Sequence, residues 1–197
     1  AQVAEVLAPI AEYPEIQFSL KMRLGWENAS ECMVLVELLN AIRLSRIALH
    51  ARTGKQQYKG HPDLEAFQGF YELCQHPLYY NGGIESLSDI RQILIRFPLL
   101  KGVFIGRGLL SSPLLAKEFK GNETFLPEQR MSIYFAFHEE LFSAYSQVLQ
   151  GETQLLVKMK TLWEYFLPET DRKLLKRIKK STRLQQYTES VKAIFTS

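Results

Sequence analysis

Leu78-Tyr79-Tyr80-Asn81-Gly82-Gly83-Ile84 joins an apolar run to a polar residue and two glycines. A short apolar run bounded by glycine reads as a buried strand that stops at a turn. Three other segments have the same build: Gln17-Phe18-Ser19-Leu20-Lys21-Met22-Arg23-Leu24-Gly25, then Ile47-Ala48-Leu49-His50-Ala51-Arg52-Thr53, and after them Gly102-Val103-Phe104-Ile105-Gly106-Arg107-Gly108. The four recur at roughly thirty-residue intervals. That rhythm is the βα unit repeated four times, with parallel strands whose carboxyl ends carry functional groups.

Helical periodicity fills the intervals. Residues 1–12 read as the end of a helix, with Val3, Val6, Leu7 and Ile10 on one side, and Pro14 stops it before a strand at 16–21. Residues 31–44 form a helix through Val34, Leu35, Leu38, Leu39 and Ile42, and a second strand runs over 46–50. A helix over 64–74 carries Leu64, Phe67, Tyr71 and Cys74, and one capped by Ser86 or Ser88 carries Leu87, Ile90, Ile93 and Leu94. After Pro113 the strand signal stops. Pro127 opens a long helix, Gly151 breaks it, a second runs to Pro168, and shorter ones cover 171–180 and 184–194. The reading is an α/β part followed by an all-helical bundle, with the boundary near residue 118.

With 197 residues the chain is short for a full (β/α)8 barrel, which needs about 250. Apolar residues at 46% and charged residues at 23% suit a soluble globular protein. No stretch reaches membrane-span length, and the first ten residues lack the basic region of a secretory signal. Cys32 and Cys74 have no metal-ligand spacing and read as free buried thiols, which points to the cytoplasm. Net charge is only +3, yet residues 158–183 hold nine basic side chains against three acidic ones. A polyanionic partner would meet the chain there.

Lys21, read as the end of the first strand, can set a cation beside an electron-rich ring. His50, read as the end of the second, can donate to a ring carbonyl or a phosphate. Arg52, Lys55, Tyr58 and Lys59 mix cations with an aromatic, which suits an RNA backbone and an unstacked base. The turns Asn81-Gly82-Gly83 and Gly106-Arg107 follow the last two strands, where such barrels bind phosphate. Glycine lets backbone amides approach an anion, and Arg107 can add a bidentate contact. Lys176, Arg177 and Lys180 lie on a basic helix whose other side is Leu174, Leu175 and Ile178. No P-loop, G-x-S-x-G or HExxH pattern is present, and no metal site is expected.

In order and content the four motifs resemble the second half of the tRNA-dihydrouridine synthases, flavoenzymes that reduce uridine in transfer RNA. The resemblance covers the whole chain and implies the carboxy-terminal half of a TIM (β/α)8 barrel over 1–117, then a helical tRNA-binding domain over 118–197. It implies flavin mononucleotide (FMN) held by Lys21, His50, Asn81, Gly82, Gly83, Gly106 and Arg107, with NADPH as reductant. It puts Arg52 near the substrate base, and Lys55, Tyr58, Lys176, Arg177 and Lys180 on the RNA. The chain departs from the pattern at Gly83, where most relatives carry an acid. The family's Pro-Met pair and its general-acid cysteine, in an Asn-x-Gly-Cys-Pro loop, do not occur here; that cysteine is expected upstream. The expectation is therefore an inactive part that self-associates or needs its amino-terminal half. The competing reading is a non-catalytic RNA-binding module without flavin.

Overall fold

The computed structural model describes residues 2–196; Ala1, where the first expected helix begins, and Ser197 lie outside them. The chain divides into two compact units, Ala1–Gly106 and Arg107–Ser197.

The first unit is built on four strands: β1 (Ser19–Gly25), β2 (Arg46–Thr53), β3 (Leu78–Asn81) and β4 (Gly102–Phe104). They form one parallel sheet in sequential order. Its helices are α1 (Gln2–Leu7), α2 (Val36–Asn40), α3 (Leu64–Leu73) and α4 (Leu87–Arg96). Residues Ile47 to Arg52 of β2 are buried on both faces, as a strand with neighbours on either side requires. Tyr80 of β3 meets Phe67 of α3 edge-on at 4.9 Å, and Phe67 meets Phe97 at 5.0 Å. Those contacts fix which sheet face packs on helices: the one carrying Leu24, Leu49 and Tyr80.

The expected 31–44 helix starts earlier and is mostly not α-helical. A 3-10 segment spans Ala29–Leu35 and passes into the short α2. Asn28 caps it, and the Glu31 carboxylate turns back to accept from the amides of Trp26 at 2.8 Å, Glu27 at 3.1 Å and Asn28 at 2.7 Å. Those donors, the Trp26 amide first, hold the Glu31 carboxyl below its ordinary pKa.

Among its described residues the second unit is helical throughout: α5 (Arg107–Ser111), α6 (Leu115–Gly121), α7 (Pro127–Val148), α8 (Glu152–Leu162), α9 (Arg172–Lys180) and α10 (Leu184–Phe195). Tyr134, Leu155, Met159, Trp163, Phe166, Ile178, Tyr187 and Val191 form its core. Leu114 joins that core, Ser112 hydroxyl pairs with Tyr134 hydroxyl at 2.7 Å, and buried Glu118 pairs with Arg130. These contacts tie α5 and α6 to the other helices of this unit.

Candidate functional site

Strand register decides which side chains meet. In parallel pairing Arg23 lies opposite His50, and His50 lies opposite Asn81, which lies opposite Phe104. Two residues earlier on each strand are Lys21, Ala48, Tyr79 and Gly102. Side chains two apart on a strand share a face. Lys21, Arg23, His50, Arg52 and Asn81 therefore share the face opposite the helix-packed one, gathered toward the strands' carboxyl ends. Lys21 and His50 do not end their strands: β1 continues to Gly25 and β2 to Thr53. Both strands run on through charged positions, where no apolar pattern marks them.

His50 is 5% exposed and Arg52 4%. Arg52 donates from Nη2 to the Gly60 carbonyl at 2.8 Å, so it braces the loop after β2. Arg23, not singled out in the sequence, donates from Nη1 to the carbonyls of Thr53 at 2.8 Å and Gln57 at 3.1 Å and lies 5.9 Å from the Tyr58 ring centroid. Its spacing of two from Lys21 is the signal that could have found it. Gly54 amide donates to Gly25 carbonyl at 2.7 Å, Lys55 amide to Trp26 carbonyl at 2.9 Å, and the Lys55 ammonium pairs with Glu27. The loops after β1 and β2 are thus one linked unit.

The turn after β3 needs its glycines. Gly82 has φ of 137° and Gly83 φ of 60°, conformations side chains disfavour. A Cβ at Gly82 would lie 3.3 Å from His50 Cδ2, and one at Gly83 2.9 Å from Pro62 Cγ. Asn81 Nδ2 donates to the Phe104 carbonyl at 2.8 Å and binds β3 to β4. The amides of Glu85 and Ser86 donate to the Asp89 carboxylate at 3.0 and 2.8 Å. An anion here would be met by the glycine turn rather than by the start of α4. Gly106 ends the first unit and Arg107 begins the second.

Neither cysteine lies on a strand, and burial raises both thiols. Cys32, in the 3-10 segment, donates to the Ala29 carbonyl at 3.2 Å, and burial pushes its thiol up to about 11. Cys74 caps α3 before β3 begins, and burial raises it as well.

In the second unit, Lys173, Lys176, Arg177 and Lys180 line a groove of about 440 Å³ with Gln186, Glu189 and Ser190 of α10. Two other cations of the basic segment are turned inward or onto neighbours. Lys160 donates to the Ser181 carbonyl at 2.8 Å, and Lys158 lies 5.3 Å from the Tyr145 ring centroid. Among the described residues no cluster of metal-ligating side chains exists, and no helix is long and apolar enough to cross a membrane.

Residues 2–196 match the family model described as dihydrouridine synthase. A "Probable tRNA-dihydrouridine synthase" of Rhizobium leguminosarum bv. phaseoli is 35% identical over 100 residues, covering 50% of this chain and 31% of that protein. One of the same name from Aquifex aeolicus is 34% identical over 119 residues, 60% of this chain and 36% of that protein. A "tRNA-dihydrouridine(16) synthase" of Haemophilus ducreyi is 30% identical over 105 residues, 53% and 32%. The chain spans about a third of the length of these curated relatives.

Proposed function

The chain belongs to the dihydrouridine synthase family, and from that premise we propose that it is the carboxy-terminal part of an FMN-dependent tRNA-dihydrouridine synthase. In this reading residues 1–117 are the second half of a (β/α)8 barrel, and 118–197 are a tRNA-binding helical domain. The observation that carries it is the register that sets Lys21, Arg23, His50 and Asn81 on one sheet face at the carboxyl ends. In barrels of this build that end holds the chemistry.

The residues fit a flavin mononucleotide. Lys21 supplies a cation, His50 a ring N–H, and the Gly82–Gly83 turn a stretch of backbone with no side chain in an anion's way. When bound and reduced by NADPH, the flavin supplies the hydride that saturates a uracil ring. Lys21 would hold negative charge on the isoalloxazine beside it, and His50 would donate to a ring carbonyl. Gly106 and Arg107 are assigned to the cofactor on sequence order and family pattern alone, with the Arg107 guanidinium as a phosphate partner. Arg52 positions the 54–60 loop, and Lys55 and Tyr58 would meet the RNA from it. Lys176, Arg177 and Lys180 would hold the transfer RNA backbone from the α9 groove. The general-acid cysteine is assigned to a part of the protein outside this sequence, since Cys32 is buried in the 3-10 segment, Cys74 ends α3, and both thiols are raised. Action on transfer RNA in the cytoplasm belongs to the same reading.

The test is the flavin absorbance of the full-length protein and its variants. Wild type should purify yellow. His50→Ala and Arg107→Ala should each lower flavin occupancy severalfold, because each removes a charge-assisted or ring-directed hydrogen bond. A colourless wild type that still binds RNA would favour the non-catalytic module. Full occupancy in both variants would sink the cofactor assignment.

A further inference from the structure

Two exposed aromatic rings stand on the linked loops after β1 and β2: Trp26 is 65% exposed and Tyr58 59%. Tyr58 belongs to the RNA reading above; Trp26 has no assigned task. Its backbone is held on both sides, the amide donating to Glu31 at 2.8 Å and the carbonyl accepting from Lys55 at 2.9 Å. Its ring lies over Gly54, where a Cβ would overlap it. The indole is therefore seated in one orientation with most of its surface open to solvent. The strand-end and loop segments 23–27 and 50–60 carry four basic residues, Arg23, Arg52, Lys55 and Lys59, against the single acid Glu27. The Lys55–Glu27 pair is exposed at both ends and is the kind that exchanges readily for a phosphate.

A fixed, open aromatic face in a positive setting matches single-stranded nucleic acid, whose bases stack while phosphates meet the cations. Resting on the RNA reading above, we propose that Trp26 stacks on an unpaired nucleobase of the bound RNA, with Lys55 and Lys59 meeting the phosphates beside it. Gly54 is the positioning residue that leaves room for the ring.

Trp26 and Trp163 are the two tryptophans of the chain, and Trp163 is 2% exposed. Both rings emit, so the difference between wild type and Trp26→Phe isolates the exposed one. The experiment titrates the full chain with an unmodified transfer RNA transcript and with oligouridine, checking each variant's fold by circular dichroism. Wild-type emission should be quenched as RNA binds. Trp26→Phe should keep most of the affinity while losing the quenching. Trp26→Ala should weaken binding about tenfold, a typical cost of one lost base stack. Its salt dependence should stay unchanged, because no charge is removed. Gly54→Ala should weaken binding in the same direction by displacing the ring. Wild-type affinity in Trp26→Ala, with no emission change on binding, would overturn the stacking role and leave RNA binding standing. A wild type that binds neither RNA would overturn both.

Discussion

His138 lies in α7 and carries no motif in the sequence. In the folded chain it is 1% exposed. Tyr187 hydroxyl lies 2.6 Å from His138 Nε2 and accepts from Trp163 Nε1 at 2.9 Å. His138 Nδ1 lies 3.1 Å from Glu139. One proton arrangement satisfies all of them: Tyr187 donates to Nε2, and Nδ1–H donates to the carboxylate. That arrangement requires a neutral ring, and burial lowers the His138 pKa below 6.5 accordingly. Because the folded form resists protonation, its stability is full above pH 6.5 and falls as acid charges the unfolded chain first. Urea midpoints should drop between pH 7 and pH 5.5, and a His138→Gln chain should lose most of that dependence. Tyr187→Phe strands the Trp163 N–H and His138 Nε2, so it should cost about 1–3 kcal/mol in the same measurement. An unchanged midpoint would mean water had replaced the hydroxyl. None of this was legible beforehand, because the partners stand 24 and 49 positions apart in sequence. Arg23 was missed for a different reason. Only its spacing of two from Lys21 marks it, and its own strand segment is dominated by apolar residues.

At the scale of elements the helices were the readable part, since each sorts its apolar residues at a 3.6 spacing. α9 is the clearest case: Asp171 caps it, accepting from the amides of Lys173 at 2.7 Å and Leu174 at 3.1 Å, and Ile178 is buried below its cationic face. Strand ends were less readable, because β1 and β2 continue through Lys21, Arg23, His50 and Arg52, which the sheet face can carry only where it leaves the helix-packed core. The 3-10 start at Ala29 was also hidden, since Glu31 sets it through backbone amides rather than through any periodic pattern. For α9 the consequence is measurable. Changing Lys176, Arg177 and Lys180 to Glu reverses the charge of the groove and leaves Ile178 and the cap in place. Transfer RNA binding should then weaken for every sequence, with a shallower salt dependence, because fewer counterions are released. Filter binding across a salt series reads both, and an unaltered slope would make the basic face a device for solubility alone.

On the scale of the whole chain, the parallel sheet sets the constraint. Among the described residues β1 and β4 each pair with one neighbour, which leaves the sheet two open edges. The face that carries Lys21 also bears Tyr79 and Phe104, whose rings meet at 5.4 Å and remain partly exposed. Parallel sheets ordinarily have both faces covered, and an unpaired edge presents a row of backbone donors and acceptors to any other chain. Closing a barrel removes such edges altogether. The four βα units and their order were legible from the sequence, because each apolar run stops at a turn. The pairings inside the helical part were less so: Ser112 meets Tyr134 and Glu118 meets Arg130, which no local pattern announces. We expect the 197-residue chain, prepared alone, to associate through its sheet and to take up flavin poorly. Light scattering after gel filtration should give a mass above that of one chain, increasing with concentration. Adding the remainder of a full-length relative's barrel as a separate polypeptide should lower that mass toward a one-to-one complex and raise flavin uptake. A lone chain that stays monomeric at every concentration and reduces uridine in transfer RNA would mean that the open face is neither an interface nor half of a larger pocket.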